Sequence, residues 1–426
     1  MAMSLGFHIV FAVVGMAMPL MMVIAEWRWL RTGQEVYRTL ARRWAKGTGI
    51  FFAVGAVSGT VLSFELGLLW PHFMERAGPF IGPLFSLEGI AFFIEAIFLG
   101  VYLYGWDKVH SRIHLGAGVL VAVSGAASAF FVVLANGWMN APTGYRLEDN
   151  IPTVTDYIAA MFNPMGLMEV HHMLLAAYAS IGLAVAGIHA WALLGEPDNL
   201  FHRFAFTIAF SVGAIAAVLQ PVSGDVLARA VSEHQPVKLA AFESLFESQS
   251  AAPLIIGGIP DSDQRTVSYA IEVPSLLSLL LFLDPQGTVR GLEAFPRVEW
   301  PPVAVVHVAF QIMVGCGILM AGLGLWGGWL CWRRQDFLRD RKFLWAVVLV
   351  APLGIIAIEA GWTVTEVGRQ PWIIHGIMRT AEAVTPMPGL IVPLMVFSSF
   401  YLLLGFIVAW LLKRHVVASP VILEGK

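Results

Sequence analysis

The sequence predicts an all-α polytopic membrane protein with nine transmembrane helices. Three observations carry this reading. Of 426 residues, 58% are hydrophobic and only 13% charged, too little polar surface for a soluble globule of that length. Mean hydropathy is +0.74. The apolar residues also gather in nine runs, each long enough to cross a hydrocarbon core of roughly 30 Å. They cover about residues 4–27, 48–70, 86–106, 115–137, 166–194, 203–227, 302–332, 343–366 and 388–412.

The connections set the expected orientation. Arg31, Arg38, Arg42, Arg43 and Lys46 separate the first two runs. Arg333, Arg334, Arg339, Arg341 and Lys342 separate the seventh and eighth, and Lys413 and Arg414 follow the ninth. The connections around 71–85, 138–165 and 367–387 are poorer in Lys and Arg. Positive charge marks the inner side, so the N-terminus is expected outside and the C-terminus inside, as an odd number of spans requires. The first run has neither a basic leader nor a small-residue cleavage pattern before Glu26, so it is read as retained. Cys316 and Cys331 lie on one run; fifteen helical residues separate them by about 22 Å, so they cannot bridge each other and read as packing residues.

Three regions follow. Residues 1–227 hold helices one to six, 228–301 form a long outer connection, and 302–426 hold helices seven to nine. The connection carries mixed charge, several prolines and the run Lys238-Leu-Ala-Ala-Phe-Glu243; connections this long in a compact bundle are usually functional. No glycine-rich loop follows a strand, and no basic stripe points to nucleic acid.

Ionisable and soft side chains then fall at one depth. At 1.5 Å of rise per residue, His8 lies about 28 Å from the inner end at Trp27, and His172 about 33 Å from Leu194. Met313 lies about 28 Å from Trp332, and Glu366 about 35 Å from Phe343. All four sit at the expected outer edge of the core, and His with Met is a known haem-iron pair. Of the adjacent His171 and His172, which point about 100° apart, at most one addresses a given site. Glu359, Trp362 and Glu366 share a face at i, i+3 and i+7, as do Glu88 and Glu95 at i and i+7. A carboxylate at mid-membrane is protonated, paired or on a proton path, and Glu95 is the candidate.

The stretch Glu366-Val-Gly-Arg-Gln-Pro-Trp372 contains GRQPW, and with it the chain resembles subunit I of the cytochrome bd-type quinol oxidases. The likeness runs along nearly the whole length. It takes in Phe7-His8, Glu88-Gly89, Phe92-Phe93-Ile94-Glu95, Ala135-Asn136-Gly137-Trp138-Met139, and Asn163-Pro164 leading to His172. It continues through Lys238–Glu243, Gly258-Ile259-Pro260-Asp261, Phe310-Gln311-Ile312-Met313 and Glu359-Ala-Gly-Trp362.

The resemblance implies a respiratory terminal oxidase subunit of the bacterial cytoplasmic (inner) membrane that passes electrons from ubiquinol or menaquinol through three haems to oxygen. Water forms and a proton gradient results. It implies His172 and Met313 as axial ligands of a low-spin haem b, and His8 and Glu366 as ligands of the two active-site haems. Trp362 and Arg369 would line that site, Glu88 and Glu95 would serve it and its proton supply, and Lys238 and Glu243 would contact quinol. The implied cofactors are two haem b and one haem d, or a third haem b in its place. The implied partners are subunit II and, as an optional addition, a small single-span subunit.

Three departures stand out. Gln311 replaces the arginine common in the family two residues before the methionine, which removes a fixed charge near the low-spin haem and bears on its potential. Glu88 and Glu95 are one residue closer than in some members, a rotation of about 100° on a regular helix. The connection after Pro274 is short, as in short-loop members. Two other readings remain open: a bd-like haem oxidoreductase with another donor, and a proton-coupled secondary transporter built on Glu88, Glu95 and Glu366.

Overall fold

A computed structural model describes residues 1–148, 151–333, 336–385 and 388–417. Among them, nine helices are long and apolar enough to cross a membrane. They are Ala2–Thr32, Glu35–Leu69, Pro71–Tyr104, Ser111–Asn140, Gly166–Gly195, Leu200–His234, Val303–Trp332, a two-part eighth span, and Ile391–Leu412. The end of the bundle holding Met1 is called the N-terminal face below, and the opposite end the C-terminal face.

Several helices outrun their apolar cores because an amphipathic stretch continues them. The second starts at Glu35 rather than near 48, since Tyr37, Leu40, Ala41, Trp44, Ala45 and Thr48 are buried on one stripe while Arg38 and Arg42 on another reach Asp107. The third starts at Pro71, a residue suited to a first helical turn, with Phe73, Ala77, Phe80, Ile81 and Leu84 buried. The expected connection 71–85 is therefore helical. The sixth likewise runs on to His234. The eighth divides into Arg341–Val350 and Leu353–Val367, where Pro352 lacks the N–H that would continue the ladder.

Small residues let the helices approach closely. A Cβ on Gly182 would sit 2.5 Å from Gly213 Cα, so the fifth and sixth helices nearly touch. A Cβ on Gly354 would sit 2.4 Å from Ser180 Cα, which brings the eighth against the fifth. The largest buried core spans helices one, two and five to eight, including Val13, Met21, Leu183, Phe206 and Phe343. Exposed ion pairs Arg203–Asp336 and Arg339–Asp198 link connections on the C-terminal face, each worth at most about 1 kcal/mol.

The long connection has its own structure. A short helix, Pro236–Phe242, is followed by an antiparallel hairpin of Leu254–Asp261 and Thr266–Val273, then a second short helix, Leu276–Phe282. Its apolar residues, among them Phe242, Leu245, Phe246 and Leu292, pack with Val303 and Val306 of the seventh helix. A second, smaller hairpin follows the eighth helix, Trp372–Ile374 with Met378–Arg379. His375 N–H donates to Met139 O at 2.9 Å and ties this turn to the end of the fourth helix.

Candidate functional site

His8 lies two turns into the first helix, His172 two turns into the fifth, Met313 three turns into the seventh, and Glu366 next to the end of the eighth. Because successive helices alternate in direction, all four are at the N-terminal face.

Glu366, half-buried, anchors a polar network whose members Arg369, Asn136, Asn140, Gln235 and Lys238 are buried. Arg369 donates to its Oε2 at 2.5 Å and Asn136 Nδ2 to its Oε1 at 2.6 Å. Asn136 in turn accepts from Asn140 Nδ2 at 3.0 Å, and the same amide donates to Glu169 Oε1 at 2.7 Å. Asn140 Oδ1 faces three donors: Lys238 Nζ at 3.0 Å, with Gln235 Nε2 and Arg369 Nη1 both at 3.3 Å. The amide orientation is thereby fixed, with NH2 toward acceptors and oxygen toward donors. Two basic and two acidic side chains meet in this network.

This network joins residues that lie far apart in the chain. Lys238 belongs to the long connection, yet it sits with Glu366 and Arg369, and a Cβ on Gly368 of GRQPW would be 3.0 Å from its Cγ. Burial, and then the Arg369 guanidinium, hold its ammonium below the ordinary lysine range. A cavity of about 20 Å3 lies against Lys238, Arg369, His375 and Glu299, enough for one water. Burial also pushes His375 below its ordinary value, with Lys238 and Arg369 adding to the effect. Asn140, Glu169 and Gln235 carried no sequence signal of their own. Asn140 lies one turn after Asn136, and Glu169 one turn before His172; that spacing is the only local clue.

Lys238 and Glu243 lie near the two ends of the short helix Pro236–Phe242 and do not bond to each other. Glu243 is buried, its Oε2 has no partner, and burial pushes its carboxyl up to about 8.

The remaining residues separate into two groups. His172 Nε2 is 3.1 Å from Gln220 Nε2, and its Nδ1 is buried without a partner. His171 turns instead to Ser223 Oγ at 3.1 Å. A Cβ on Gly224 would come within 3.5 Å of His172 Cε1, and one on Gly361 within 2.8 Å of Met313 Sδ, so glycines line both side chains. Trp362 Nε1 is buried and unpartnered on the same helix as Gly361. An imidazole nitrogen and a thioether packed on glycines, with unspent buried polar atoms at His172 Nδ1 and Trp362 Nε1, fit a haem held by one His and one Met. His8 Nδ1 pairs with Ser58 Oγ at 2.9 Å and packs on Gly59. Glu359 approaches from the eighth helix, its Oε2 placed 3.1 Å from a Cβ on Gly6 and its Oε1 unpartnered. Among the described residues no three of His, Cys, Asp and Glu converge.

Glu88 and Glu95 do share a face, and it meets the fourth helix. Ser128 Oγ donates to Glu88 Oε1 at 3.0 Å. Glu95 Oε1 fills a crevice between Gly15 and Gly125, at 3.6 and 3.3 Å from the Cβ positions those glycines lack. Gln311, the departure from the family pattern, turns to the connection: it accepts from Gly257 N–H and donates to Ile255 O, both at 2.9 Å.

Comparison with known proteins shows the family of the chain. The family model for cytochrome bd terminal oxidase subunit I matches residues 1–420. A Bacillus subtilis (strain 168) protein provisionally named cytochrome bd menaquinol oxidase subunit I is 35% identical over 98% of this chain and 95% of its own length. The cytochrome bd-II ubiquinol oxidase subunit 1 of Escherichia coli (strain K12) is 30% identical over 90% of this chain and 88% of its own. In the solved structure of the bd oxidase from Geobacillus thermodenitrificans, a chain 39% identical superposes with a TM-score of 0.92, covering 98% of this chain and 97% of that one. With its family model, its relatives and its nine-helix architecture all concordant, the chain belongs to the cytochrome bd terminal oxidase subunit I family.

Proposed function

We propose that this chain oxidises a membrane quinol at its N-terminal face and serves the haem sites at which oxygen is reduced to water, with ubiquinol and menaquinol as the candidate donors. The observation that carries the quinol site is Glu243, a buried carboxyl with an unpartnered oxygen at the end of the helix that carries Lys238. Oxidising a quinol hydroxyl needs a hydrogen-bond donor and a proton acceptor together. Lys238 supplies the first, braced by Asn140, and Glu243 the second. Burial keeps Glu243 protonated until about pH 8, so the acceptor form gains ground as pH rises.

Bound haem would supply the electron transfer and the oxygen chemistry. On this reading His172 and Met313 would hold a low-spin haem b, and His8 and Glu366 would be ligands of two active-site haems, one of b type and one of d type, or both b. Glu366, held by Asn136 and Arg369, would supply the carboxylate of that site, and Arg369 and the unpartnered Trp362 Nε1 would be its donors. Glu95, in its glycine-lined crevice, and Glu88, held by Ser128, hand protons along the face of the third helix. Protons from quinol leave at the N-terminal face while those consumed arrive from the other side, and charge separation follows without a pump.

Subunit I of this family works with a partner subunit; a small single-span subunit and placement in the bacterial inner membrane belong to the proposal. The transporter reading loses its support in the family assignment. The test is Glu243→Gln in the purified oxidase, assayed with quinol and with a water-soluble artificial electron donor. Slowed quinol oxidation with spared artificial-donor turnover is expected; equal loss with both would remove Glu243 from the quinol site.

A further inference from the structure

The first turns of the seventh helix present His307, Phe310 and Gln311 on one face, and that face grips two separate parts of the long connection. His307 is fully buried, with Nδ1 2.8 Å from Phe242 O and Nε2 2.9 Å from Gly257 O. Gln311 accepts from Gly257 N–H and donates to Ile255 O, both at 2.9 Å. The Phe310 ring stacks on that of Phe242 at 4.3 Å. The strand Leu254–Asp261 pairs with Thr266–Val273 along one edge, and along its other edge the side chains at 307 and 311 stand where a neighbouring strand would. Gly257, at φ +69°, is in the left-handed region, which turns both its N–H and its C=O to the helix; a side chain there would be strained.

We infer that His307 and Gln311 are positioning residues that dock the connection and thereby set Glu243, the residue after Phe242, against the quinol. The inference rests on the reading of Glu243 as a quinol contact. It also gives Gln311 a purpose. Holding Gly257 N–H requires an acceptor and holding Ile255 O requires a donor; an amide is both, whereas a guanidinium accepts nothing. The glutamine at 311 is thus a clamp matched to this chain's hairpin. Because Met313 follows two residues later on the same helix, the clamp fixes the quinol site relative to that side chain.

Three variants of the full complex test this: Gln311→Leu, which loses both bonds, Gln311→Glu, which keeps the acceptor, and His307→Phe, which keeps the ring volume. Loss of these contacts is expected to raise the apparent KM for quinol roughly tenfold in Gln311→Leu and His307→Phe, and less in Gln311→Glu. Turnover with the artificial donor and the reduced visible spectrum stay as in the parent. Amide hydrogen exchange at Gly257 should accelerate in the same order. Unchanged quinol KM despite faster Gly257 exchange would overturn the positioning role, as would equal loss with both donors in all three variants. Should Glu243→Gln show no donor-selective effect, the quinol reading itself fails, and Gly257 exchange still reports the clamp.

Discussion

Lys238 Nζ donates to Asn140 Oδ1 at 3.0 Å, which fastens the long connection to the end of the fourth helix inside the network around Glu366. A buried ammonium is tolerable only with partners, and the Asn140 amide brings Glu169 within reach of the same hub. Replacing Asn140 by leucine strands Lys238 and Glu169 together, while Gln235 keeps its bond to the backbone carbonyl of residue 140. We expect a loss of about 2–4 kcal/mol in stability and a raised quinol KM, read by thermal unfolding and by steady-state kinetics of the complex. A variant as stable as the parent would show that the hub is dispensable.

The carboxyl of Glu243 imposes a pH dependence. Burial lifts it from an ordinary 4.5 to about 8, so the folded state binds the extra proton between those values. Its contribution to stability is full below about pH 4.5 and is lost as pH climbs toward 8. Quinol oxidation moves the opposite way, rising with pH through about 8 as the acceptor form appears. Glu243→Gln should flatten both profiles. A quinol profile that keeps its limb in the variant assigns that limb elsewhere.

Glu95 should behave differently from Glu243. It lies among the first, third and fourth helices rather than in the connection. Glu95→Gln is therefore expected to slow turnover tenfold or more with quinol and artificial donor alike. A donor-selective effect would place it on the quinol side instead.

Gly361→Ala examines the thioether without touching it. The added Cβ would stand 2.8 Å from Met313 Sδ, closer than any relaxed contact, so the sulfur must move. The low-spin haem signal is expected to shift or weaken while the other haem signals persist. An unaltered low-spin spectrum would mean that Met313 is not a ligand.

The nine spans were legible because each contains a run of apolar residues that only a bilayer or a buried bundle accommodates. Their ends were less so. The stripe Tyr37, Leu40, Trp44 and the stripe Phe73, Ala77, Phe80 continue helices past the hydrophobic core, and span length alone carries no trace of them. Glu88 and Glu95 could be placed on one face from spacing, and both do meet the fourth helix. Asn140, Glu169 and Gln235 could not be found, since their significance lies in partners up to 229 residues away in sequence. The hairpin 254–273 was also missed: Gly257 and Gly258 break its alternation, and its outer edge is completed by helix side chains rather than by a strand.

The most direct test of the account is a reduced-minus-oxidised visible spectrum of the purified complex, with haem extraction, recorded for the parent and for Met313→Leu. Protohaem together with a chlorin is expected, or protohaem alone where the third haem is of b type, and the low-spin signal changes selectively in Met313→Leu. A complex without haem, or a low-spin signal indifferent to Met313→Leu, would contradict it.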